Sequence, residues 1–323
     1  MTTDGVLIGR LLDQAGLEAD GAATPMGGPG ELNRHWLVRT RGGDRVVARV
    51  FGWPFDDVEP VDRFAKEAWL LGRLADAGAP VPRPLARVRA EEGAALLLTW
   101  APGRPLGDLS DRDDAWQAAG RALRAVHDTR VAPLWTPGVV VDGGVRPFAG
   151  GWGGHIAAQV ELQAERLAPH RPELAVQLRR AVAVVRGLTP WLDRRPVTVL
   201  HADAHPWNVL VDGTTATWLD WEFAAVGDPH YDVVRMFLGR MKAIGAPPAA
   251  FLDGYGGSPP EAARRVYELH YHLWMANDAR HFAHRATYDD AAAYLRDLSA
   301  RLDALEAAPP TGSTAAARDS KGW

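Results

Sequence analysis

The chain has 323 residues, of which 47% are hydrophobic and 24% are charged, a composition that excludes disorder throughout. It contains no cysteine, so disulfides, zinc–thiolate sites and thiol nucleophiles are excluded. The net charge of −4 gives no overall attraction to nucleic acid or anionic membrane, and no apolar run reaches the roughly 18 residues of a membrane span. The first residues lack the basic-then-apolar order of a signal peptide. We therefore expect a cytoplasmic protein without a nucleic-acid or membrane partner.

Two domains fit this length, since a domain holds roughly 150 residues. The first hundred residues are predicted to be mostly strand, with a glycine-bearing turn between the first two strands and Gly78 ending the one helix. A segment rich in proline and glycine at 101–105 is the predicted linker. The elements predicted before it are strands at 32–40 and 45–51, a helix at 62–77, and strands at 86–90 and 94–100.

Behind the linker, apolar residues recur at spacings of three and four, which predicts helices. The predicted helices span 113–128, 156–167, 172–188, 229–242, 260–285 and 289–307. Short strands interrupt them at 197–200, 209–211 and 217–220. We therefore expect a small strand-rich lobe at 1–100 and a larger helical lobe at 101–307. Residues 308–323 are rich in Pro, Gly, Ser, Thr and Ala and are predicted to be disordered.

A polar motif, His-Ala-Asp-Ala-His-Pro-Trp-Asn at 201–208, lies between two of the short strands. The flanking strands would hold its side chains on a rigid loop. Asp203 and Asn208, together with Asp220 further along the chain, supply oxygen ligands and one candidate base. Mg²⁺ takes oxygen ligands from only a few side chains and completes its octahedron with phosphates and water. These residues therefore form the candidate site.

Three short motifs carry a family resemblance. The His-x-Asp-x-x-x-x-Asn motif at 201–208 is followed by Leu-Asp-Trp-Glu at 219–222 and by Gly-Asp-Pro-His-Tyr-Asp at 227–232. Together they resemble the aminoglycoside phosphotransferase and choline kinase family, which has the protein-kinase-like fold. The resemblance implies a bilobal α+β fold. A small lobe with an antiparallel sheet and one helix would bind nucleotide, and a larger, mainly helical lobe would carry catalysis and the acceptor.

The same resemblance implies phosphoryl transfer from ATP or GTP to a hydroxyl group. Asp203 would accept or orient the proton of the acceptor hydroxyl, while Asn208 and Asp220 would hold Mg²⁺. His205 stands where protein kinases often carry a lysine. Two roles stay open for it: contact with the γ-phosphate, or packing under the loop.

The predicted helix at 62–77 carries a charge within its apolar stripe. Its residues at 64, 67, 71 and 74 share one face, and the second of them is Glu67. A glutamate among apolar residues requires a partner. Kinases place a lysine on the preceding strand, where it pairs with the helix glutamate and holds the α- and β-phosphates.

That strand position is Arg49 in this chain, which departs from the protein-kinase pattern. Lys66 cannot replace the missing lysine, because it points about 100° away from Glu67 around the helix. Arginine is planar, permanently charged and bidentate, and it suits phosphate well. The resemblance therefore implies that Arg49 and Glu67 form the phosphate clamp.

Two further segments complete the implied nucleotide site. Gly28 lies in the Gly/Pro-rich stretch 26–33, which would cover the nucleotide, although its spacing differs from G-x-G-x-x-G. The strand that ends with Thr99, Trp100 and Ala101 would be the hinge, with adenine hydrogen-bonded to its backbone.

The acceptor in this interpretation is a hydroxylated small molecule. Glu222, Trp274 and Asp278 are the candidate acceptor residues, but arginines and histidines near them in the sequence dilute the acidity that a polycation prefers. We predict an antibiotic of aminoglycoside or nucleoside type. A primary metabolite such as a sugar, choline or an amino alcohol is the alternative, and the sequence carries no signal for oligomeric state.

Two other classes of protein compete with this interpretation. One is a metal-dependent hydrolase, which would leave the Arg49–Glu67 pair, Asn208 and Asp220 without roles. The other is an inactive nucleotide-binding module, which the presence of a base, an amide ligand and a metal carboxylate disfavours. The hydrolase would draw its dinuclear centre from His201, Asp203, His205, His270, His272, His281 and His284.

Overall fold

The structure, a computed structural model, divides into two compact units. It describes residues 2–27, 33–52, 61–238, 248–282 and 285–307, with only the backbone described at 278–282 and 285–290. The first unit comprises Met1–Arg146, Thr198–Val226 and Pro247–Gly257. The second unit comprises Pro147–Val197, Gly227–Ala246 and Ser258–Trp323.

These units follow a different division from the predicted lobes. The segment 198–226, which contains the candidate catalytic residues, belongs to the first unit together with the N-terminal sheet. The lobe boundaries at 1–100 and 101–307 therefore stay a prediction. The predicted tail at 308–323 lies outside the described residues.

The helices of the described residues are distributed over both units. None of them is long and apolar enough to cross a membrane. In chain order they are α1 (Thr3–Ala15), α2 (Arg63–Asp76), α3 (Asp113–Asp128), α4 (Gly151–Leu167), α5 (Ala175–Leu192), α6 (His230–Arg235), α7 (Ala249–Tyr255), α8 (Glu261–Phe282), α9 (Arg285–Arg296) and α10 (Leu298–Ala307). Short 3-10 turns occur at Leu106–Leu109, Ala168–His170 and Pro172–Leu174.

The strands form three sheets. The largest has five antiparallel strands in the order β1-β2-β3-β5-β4, and the two smaller ones have the orders β11-β10-β6 and β8-β7-β12-β9. The strands are β1 (Thr24–Met26), β2 (Arg34–Arg39), β3 (Arg45–Phe51), β4 (Pro84–Ala90), β5 (Gly93–Thr99), β6 (Arg104–Pro105), β7 (Gly138–Val141), β8 (Gly144–Pro147), β9 (Thr198–Leu200), β10 (Val209–Asp212), β11 (Thr215–Trp218) and β12 (Ala225–Gly227).

The first unit begins with a helix, which the expectation of a mostly stranded start had missed. The Thr2 side chain accepts a hydrogen bond from Gly5 N at 3.2 Å, and Gly16 ends α1 in the left-handed conformation that glycine favours. Leu7 and Leu11 are fully buried among apolar side chains of the five-stranded sheet. Burial of such side chains in the sheet's core is what fixes this helix, since a short helix alone is marginal in water.

The two smaller sheets frame the polar motif at 201–208. This segment connects β9 to β10, and β10 pairs with β11 so that Val209 lies opposite Trp218. Leu219 N donates a hydrogen bond to Asn208 O at 2.8 Å, which extends this pairing past the strands. The end of the motif is thereby held beside the segment that carries Asp220.

The second unit contains a buried polar network that we name the Asp228 cluster, formed by Trp152, Arg195, Asp228, His230 and Tyr267. Asp228 is fully buried, and its carboxylate accepts from Arg195 Nε at 2.9 Å and from the Tyr267 hydroxyl at 2.8 Å. His230 N donates to the other carboxylate oxygen at 3.1 Å. Trp152 Nε1 donates to the Tyr267 hydroxyl at 2.9 Å. Every polar atom of Asp228's side chain is therefore satisfied.

Most predicted elements are present with shifted ends. The helix predicted at 113–128 matches α3, and Asp62 caps α2 by accepting from Ala65 N at 3.0 Å. The single helix predicted at 289–307 is wrong, because the chain breaks it into α9 and α10. The strand predicted at 217–220 is too long, because it ends at Trp218. Strands β7, β8 and β12 were not predicted, since each is only three or four residues long.

Candidate active site

His201 fixes the start of the polar loop. Its Nε2 donates to Leu219 O at 2.6 Å, and its Nδ1 accepts from Asp203 N at 3.3 Å. The ring is fully buried and packs at 4.7 Å between centroids against the Trp221 ring. His201 therefore joins two segments, one carrying Asp203 and the other carrying Asp220.

Two residues of these segments have a backbone conformation that is rare outside glycine. Ala202 and Asp220 both have φ of 61°, in the left-handed region. This conformation is incompatible with a strand, which is the physical reason that β11 stops short of Asp220. Such strain persists only where the surroundings enforce it, and it is common at functional sites. Here the two strained positions lie directly before the candidate base and at the candidate metal ligand.

Asp203 and Asn208 contact each other within the loop. Asn208 Nδ2 donates to Asp203 O at 3.0 Å and to Asp203 Oδ2 at 3.3 Å. Asn208 N also donates to His205 O at 2.9 Å. Because the amide nitrogen of Asn208 is directed at Asp203, its amide oxygen is the atom that suits a cation. The structure thus brings the predicted base and one predicted metal ligand together.

His205 lies between these two residues in the loop. Its Nδ1 accepts from Trp207 N at 3.1 Å, and its Nε2 lies 3.6 Å from Asp203 Oδ2. The Trp207 ring that follows is 43% exposed, which is unusual for so large an apolar side chain. Trp207 therefore gives the loop a bulky, exposed outer edge.

Arg49 on β3 lies at the centre of a buried ionic group, the Arg49 cluster, formed by Asn33, Arg49, Glu67, Asp220 and Glu222. Arg49 Nη1 is 3.2 Å from Glu67 Oε1, and Arg49 Nη2 is 2.7 Å from Asp220 Oδ1 and 3.3 Å from Glu222 Oε2. The Arg49 side chain is only 2% exposed. The predicted pairing of Arg49 with Glu67 is present, while its role as a phosphate clamp stays a prediction.

The carboxylates of this cluster outnumber its cation. Burial acts to lower the pKa of Arg49, but Asp220, Glu67 and Glu222 outweigh it and raise that pKa. Burial raises the pKa of Glu67 to about 7, even though Arg49 opposes the shift. Burial also acts to raise the pKa of Asp220, but Arg49 holds it below its usual value.

Two oxygens of this cluster, Glu67 Oε2 and Asn33 Oδ1, have no hydrogen-bond partner among the described residues. Glu67 Oε1 accepts from Trp221 N at 3.1 Å, whereas Glu67 Oε2 is buried without a hydrogen-bond partner among the described residues. With three carboxylates on one guanidinium, the cluster has two negative charges in excess when all are ionised. A divalent cation beside Asp220 would offset this excess, so the residues present fit the Mg²⁺ that the motif implies.

Glu222 belongs to the Arg49 cluster although the sequence suggested it for the acceptor. It is 5% exposed and accepts from Asn33 Nδ2 at 3.0 Å. Burial and the charge of Asp220 raise its pKa. Asn33 is a site residue without a predicted role, and the signal for it was its position at the end of the Gly/Pro-rich stretch.

The candidate nucleotide residues are only partly covered by the structure. Gly28 lies outside the described residues. Thr99 ends β5, and both its backbone N–H and its hydroxyl pair with Arg83, at 2.9 Å in each case. Trp100 lies beneath the Arg45 guanidinium at 4.7 Å, and Ala101 follows, half-buried. The Thr99 N–H is therefore not available to adenine, and the hinge formed by Thr99, Trp100 and Ala101 stays a prediction.

The other acceptor candidates lie on α8 in the second unit. Trp274 is half-buried, and the Arg235 guanidinium lies 5.4 Å from its ring centroid. Asn277 lies one turn further along α8, and its side chain donates to Gln163 Oε1 at 2.9 Å, a contact between α8 and α4. The side chain of Asp278 lies outside the described residues.

The hydrolase alternative needs a cluster of metal-binding side chains. Within the part of the chain that the structure describes, no group of three or more His, Cys, Asp or Glu side chains is placed to hold a metal ion. His201 is instead engaged with backbone groups, and His281 and His284 lie outside the described side chains. The described geometry therefore gives this alternative no support.

Comparisons with known proteins agree with the fold and the motifs. A family model described as the phosphotransferase enzyme family matches residues 27–270. A probable ketoamine kinase from Thermus thermophilus is 29% identical over 278 residues, which are 81% of this chain and 90% of that protein.

Solved structures show the same protein-kinase-like architecture at low identity. A thermostable mutant of the aminoglycoside phosphotransferase APH(4)-Ia, in a ternary complex with ADP and hygromycin B, is 21% identical with a TM-score of 0.63 and covers 90% of this chain and 96% of its own. A choline/ethanolamine kinase family protein from Mesorhizobium loti is 19% identical with a TM-score of 0.60 and covers 95% of this chain and 100% of its own.

Proposed function

The chain belongs to the phosphotransferase enzyme family, and we propose that it transfers the γ-phosphoryl group of ATP or GTP to a hydroxyl group of a small molecule. One observation carries this proposal. The loop with Asp203 and Asn208 and the segment with Asp220 are joined by hydrogen bonds in one unit, with Arg49 bound to Asp220. The described residues thus hold Asp203, Asn208, Asp220 and Arg49 on one connected frame, which supports the roles of base, metal ligands and phosphate-binding cation that we propose for them.

Asn208 and Asp220 are the residues that would hold Mg²⁺. When bound, the ion supplies positive charge that neutralises the phosphate oxygens during transfer. Arg49 keeps Asp220 in its strained conformation before the nucleotide arrives, through their 2.7 Å contact. Phosphate oxygens then compete with Asp220 Oδ1 for Nη2 of the guanidinium, a group that binds carboxylate and phosphate alike.

Asp203 orients the acceptor and receives its proton. The acceptor oxygen forms a bond to the γ-phosphorus, and the bond from that phosphorus to the oxygen bridging to the β-phosphate breaks. The nucleoside diphosphate leaves with that oxygen, and the hydroxyl proton goes to the Asp203 carboxylate. Asn208 Nδ2 fixes this carboxylate from the side, so positioning supplies most of the rate effect.

The class of acceptor depends on which side chains near Asp203 are available to bind it. Engagement of Glu222 with Arg49 and Asn33 removes it as a ligand for a polycation such as an aminoglycoside. The relative from Thermus thermophilus carries the name of a ketoamine kinase, which makes glycated amines a second candidate class beside hydroxylated antibiotics.

A substrate panel tests the proposal. The purified protein with Mg²⁺ and either ATP or GTP is given aminoglycosides, nucleoside antibiotics, glycated amines, choline, ethanolamine and simple sugars. We expect nucleoside diphosphate release that depends on one acceptor class, and a phosphorylated product detected by mass spectrometry. The proposal would be contradicted if none of these acceptors stimulated release of nucleoside diphosphate above the rate of nucleotide hydrolysis by water.

A further inference from the structure

His205 has a ring orientation fixed by the backbone of its own loop. Trp207 N donates to His205 Nδ1 at 3.1 Å, so Nδ1 is an acceptor and carries no proton in the neutral ring. The single ring proton of neutral His205 is therefore on Nε2. That nitrogen faces Asp203 Oδ2 at 3.6 Å.

His201 shows the same arrangement four residues earlier. Its Nδ1 accepts from Asp203 N, and its Nε2 lies 2.6 Å from Leu219 O. Because a carbonyl oxygen has no proton to give, His201 Nε2 is the donor. Each histidine thus accepts the backbone N–H two residues ahead and directs its Nε2–H at a segment that carries a candidate carboxylate.

Two N–H groups converge on one oxygen of Asp203. Asn208 Nδ2 lies at 3.3 Å and His205 Nε2 at 3.6 Å from Oδ2. The second distance is longer than a hydrogen bond, but contacts at catalytic groups are often long before substrate binds and shorten in the complex. In the proposed function Asn208 both ligates Mg²⁺ and holds the Asp203 carboxylate. A second N–H group on that carboxylate would keep it in position when Asn208 binds the cation.

From this geometry we infer that His205 is a positioning residue for Asp203 and not a ligand of the γ-phosphate. Its Nε2–H holds the carboxylate in the rotamer that receives the acceptor hydroxyl. The inference rests on the proposed function, because it assumes that Asp203 orients an acceptor. It gives this histidine a third role, distinct from the phosphate contact and the packing under the loop that the sequence left open.

The first test is spectroscopic and needs no turnover. Protein labelled with ¹⁵N-histidine reports which ring nitrogen carries the proton, and His205→Gln identifies the His205 signals. We expect an Nε2-protonated neutral ring whose Nε2 signal shifts in Asp203→Asn. A ring protonated at Nδ1, or an Nε2 signal unmoved by Asp203→Asn, would overturn the inference even if the protein proved inactive.

The second test separates positioning from phosphate binding. His205→Ala should lower kcat by about 10- to 100-fold, the scale of a small misplacement of a catalytic group. The calorimetric Kd for MgADP and for a non-hydrolysable MgATP analogue should stay within about twofold, because no phosphate contact is lost. His205→Gln keeps a side-chain N–H and should recover part of kcat, whereas His205→Lys should not.

Three results of this second test would overturn the positioning role. Recovery by His205→Lys together with weakened binding of the MgATP analogue in His205→Ala would assign the residue to the phosphate. Equal loss from His205→Ala in an Asp203→Ala background would show that it does not act through Asp203. An unchanged kcat in His205→Ala would show that His205 has no role in turnover.

His170→Ala, at an exposed histidine, is the matched control. A wild-type protein without any turnover refutes the proposed function separately.

Discussion

Among the described residues, each unit contains a buried ionic cluster, and the two clusters are built differently. In the Asp228 cluster a single carboxylate faces Arg195, His230 and Tyr267, and both of its oxygens accept hydrogen bonds. In the Arg49 cluster three carboxylates face one guanidinium, and Glu67 Oε2 has no hydrogen-bond partner among the described residues. Both carboxylate oxygens of the Asp228 cluster are hydrogen-bonded, whereas the Arg49 cluster carries excess negative charge when its three carboxylates are ionised.

The pKa shifts separate the two clusters in the same way. Burial acts to raise the pKa of Asp228, but hydrogen bonding to His230 and the charge of Arg195 outweigh it and lower the pKa. In the Arg49 cluster, burial raises the pKa of Glu67 to about 7. Satisfied buried groups stabilise a fold, whereas an unsatisfied, charge-imbalanced group points to a ligand. Changes in the Asp228 cluster should therefore affect stability, and changes around the Arg49 cluster should affect function.

The largest effect is expected for Asp203→Ala. It removes the acceptor-orienting carboxylate and leaves both metal ligands, so turnover should fall by about two to four orders of magnitude. MgADP binding measured by calorimetry should persist, and the thermal midpoint should change little. The exposed Asp212→Ala is the matched control. A variant that retains more than a tenth of wild-type turnover would remove Asp203 from this role.

The next effect is one of stability. Asp228→Asn leaves Arg195 without a buried counter-charge and should lower the free energy of unfolding by about 3 kcal/mol at pH 7. Chemical denaturation measures this, with the exposed Glu165→Gln as control. A loss below about 1 kcal/mol would make this cluster as dispensable as a surface ion pair.

The pH dependence of that loss has a definite sign. The pKa of Asp228 is lower in the folded protein than in the unfolded chain, so its contribution is present above the unfolded pKa of about 3.9 and disappears as pH falls through the folded pKa. The stability difference between wild type and Asp228→Asn should therefore stay constant from pH 7 to about pH 5 and shrink from there to pH 3. A difference that stays constant down to pH 3 would contradict the assignment.

The sequence predicted the local parts of this picture better than its three-dimensional contacts. The motif placed Asp203 and Asn208 on one loop and Asp220 at the end of a predicted strand, and the charge in an apolar stripe predicted that Glu67 needs a partner, for which the family resemblance indicated Arg49. Helix α1 was also readable from Thr2 and Gly16, but it was missed because short apolar strands dominate the region.

Other contacts could not be predicted from sequence. The contact of Glu222 with Arg49 joins residues far apart in the chain, and the φ of 61° at Asp220 does not fit the strand predicted there. The partnership of Asn33 with Glu222 joins residues 189 positions apart. The role of His205 depends on which ring nitrogen accepts from Trp207 N, and this is a matter of side-chain rotation alone.

A smaller effect sharpens the comparison within the Arg49 cluster. Arg49→Lys keeps the charge but loses the planar fork, and Glu67→Gln loses the charge, so each should lower kcat/KM for ATP without abolishing it. The double variant should lose less than the sum of the two, with a coupling of about 1 kcal/mol or more. The exposed Arg87→Lys on the same sheet is the control. Strict additivity would show that the pair does not act as one unit.

The central claim is that the excess negative charge of the Arg49 cluster forms a binding site for Mg²⁺ and its bound nucleotide. The variant Asp220→Asn tests this claim most directly. Thermal unfolding is followed with no ligand, with ADP and EDTA, and with MgADP, with Asp212→Asn as control. We expect MgADP to raise the midpoint of the wild type by several degrees. Asp220→Asn should lose this shift while its ligand-free midpoint is equal or higher, because one excess charge is gone. A variant that is strongly destabilised without ligand, yet stabilised by MgADP as much as the wild type, would contradict the claim.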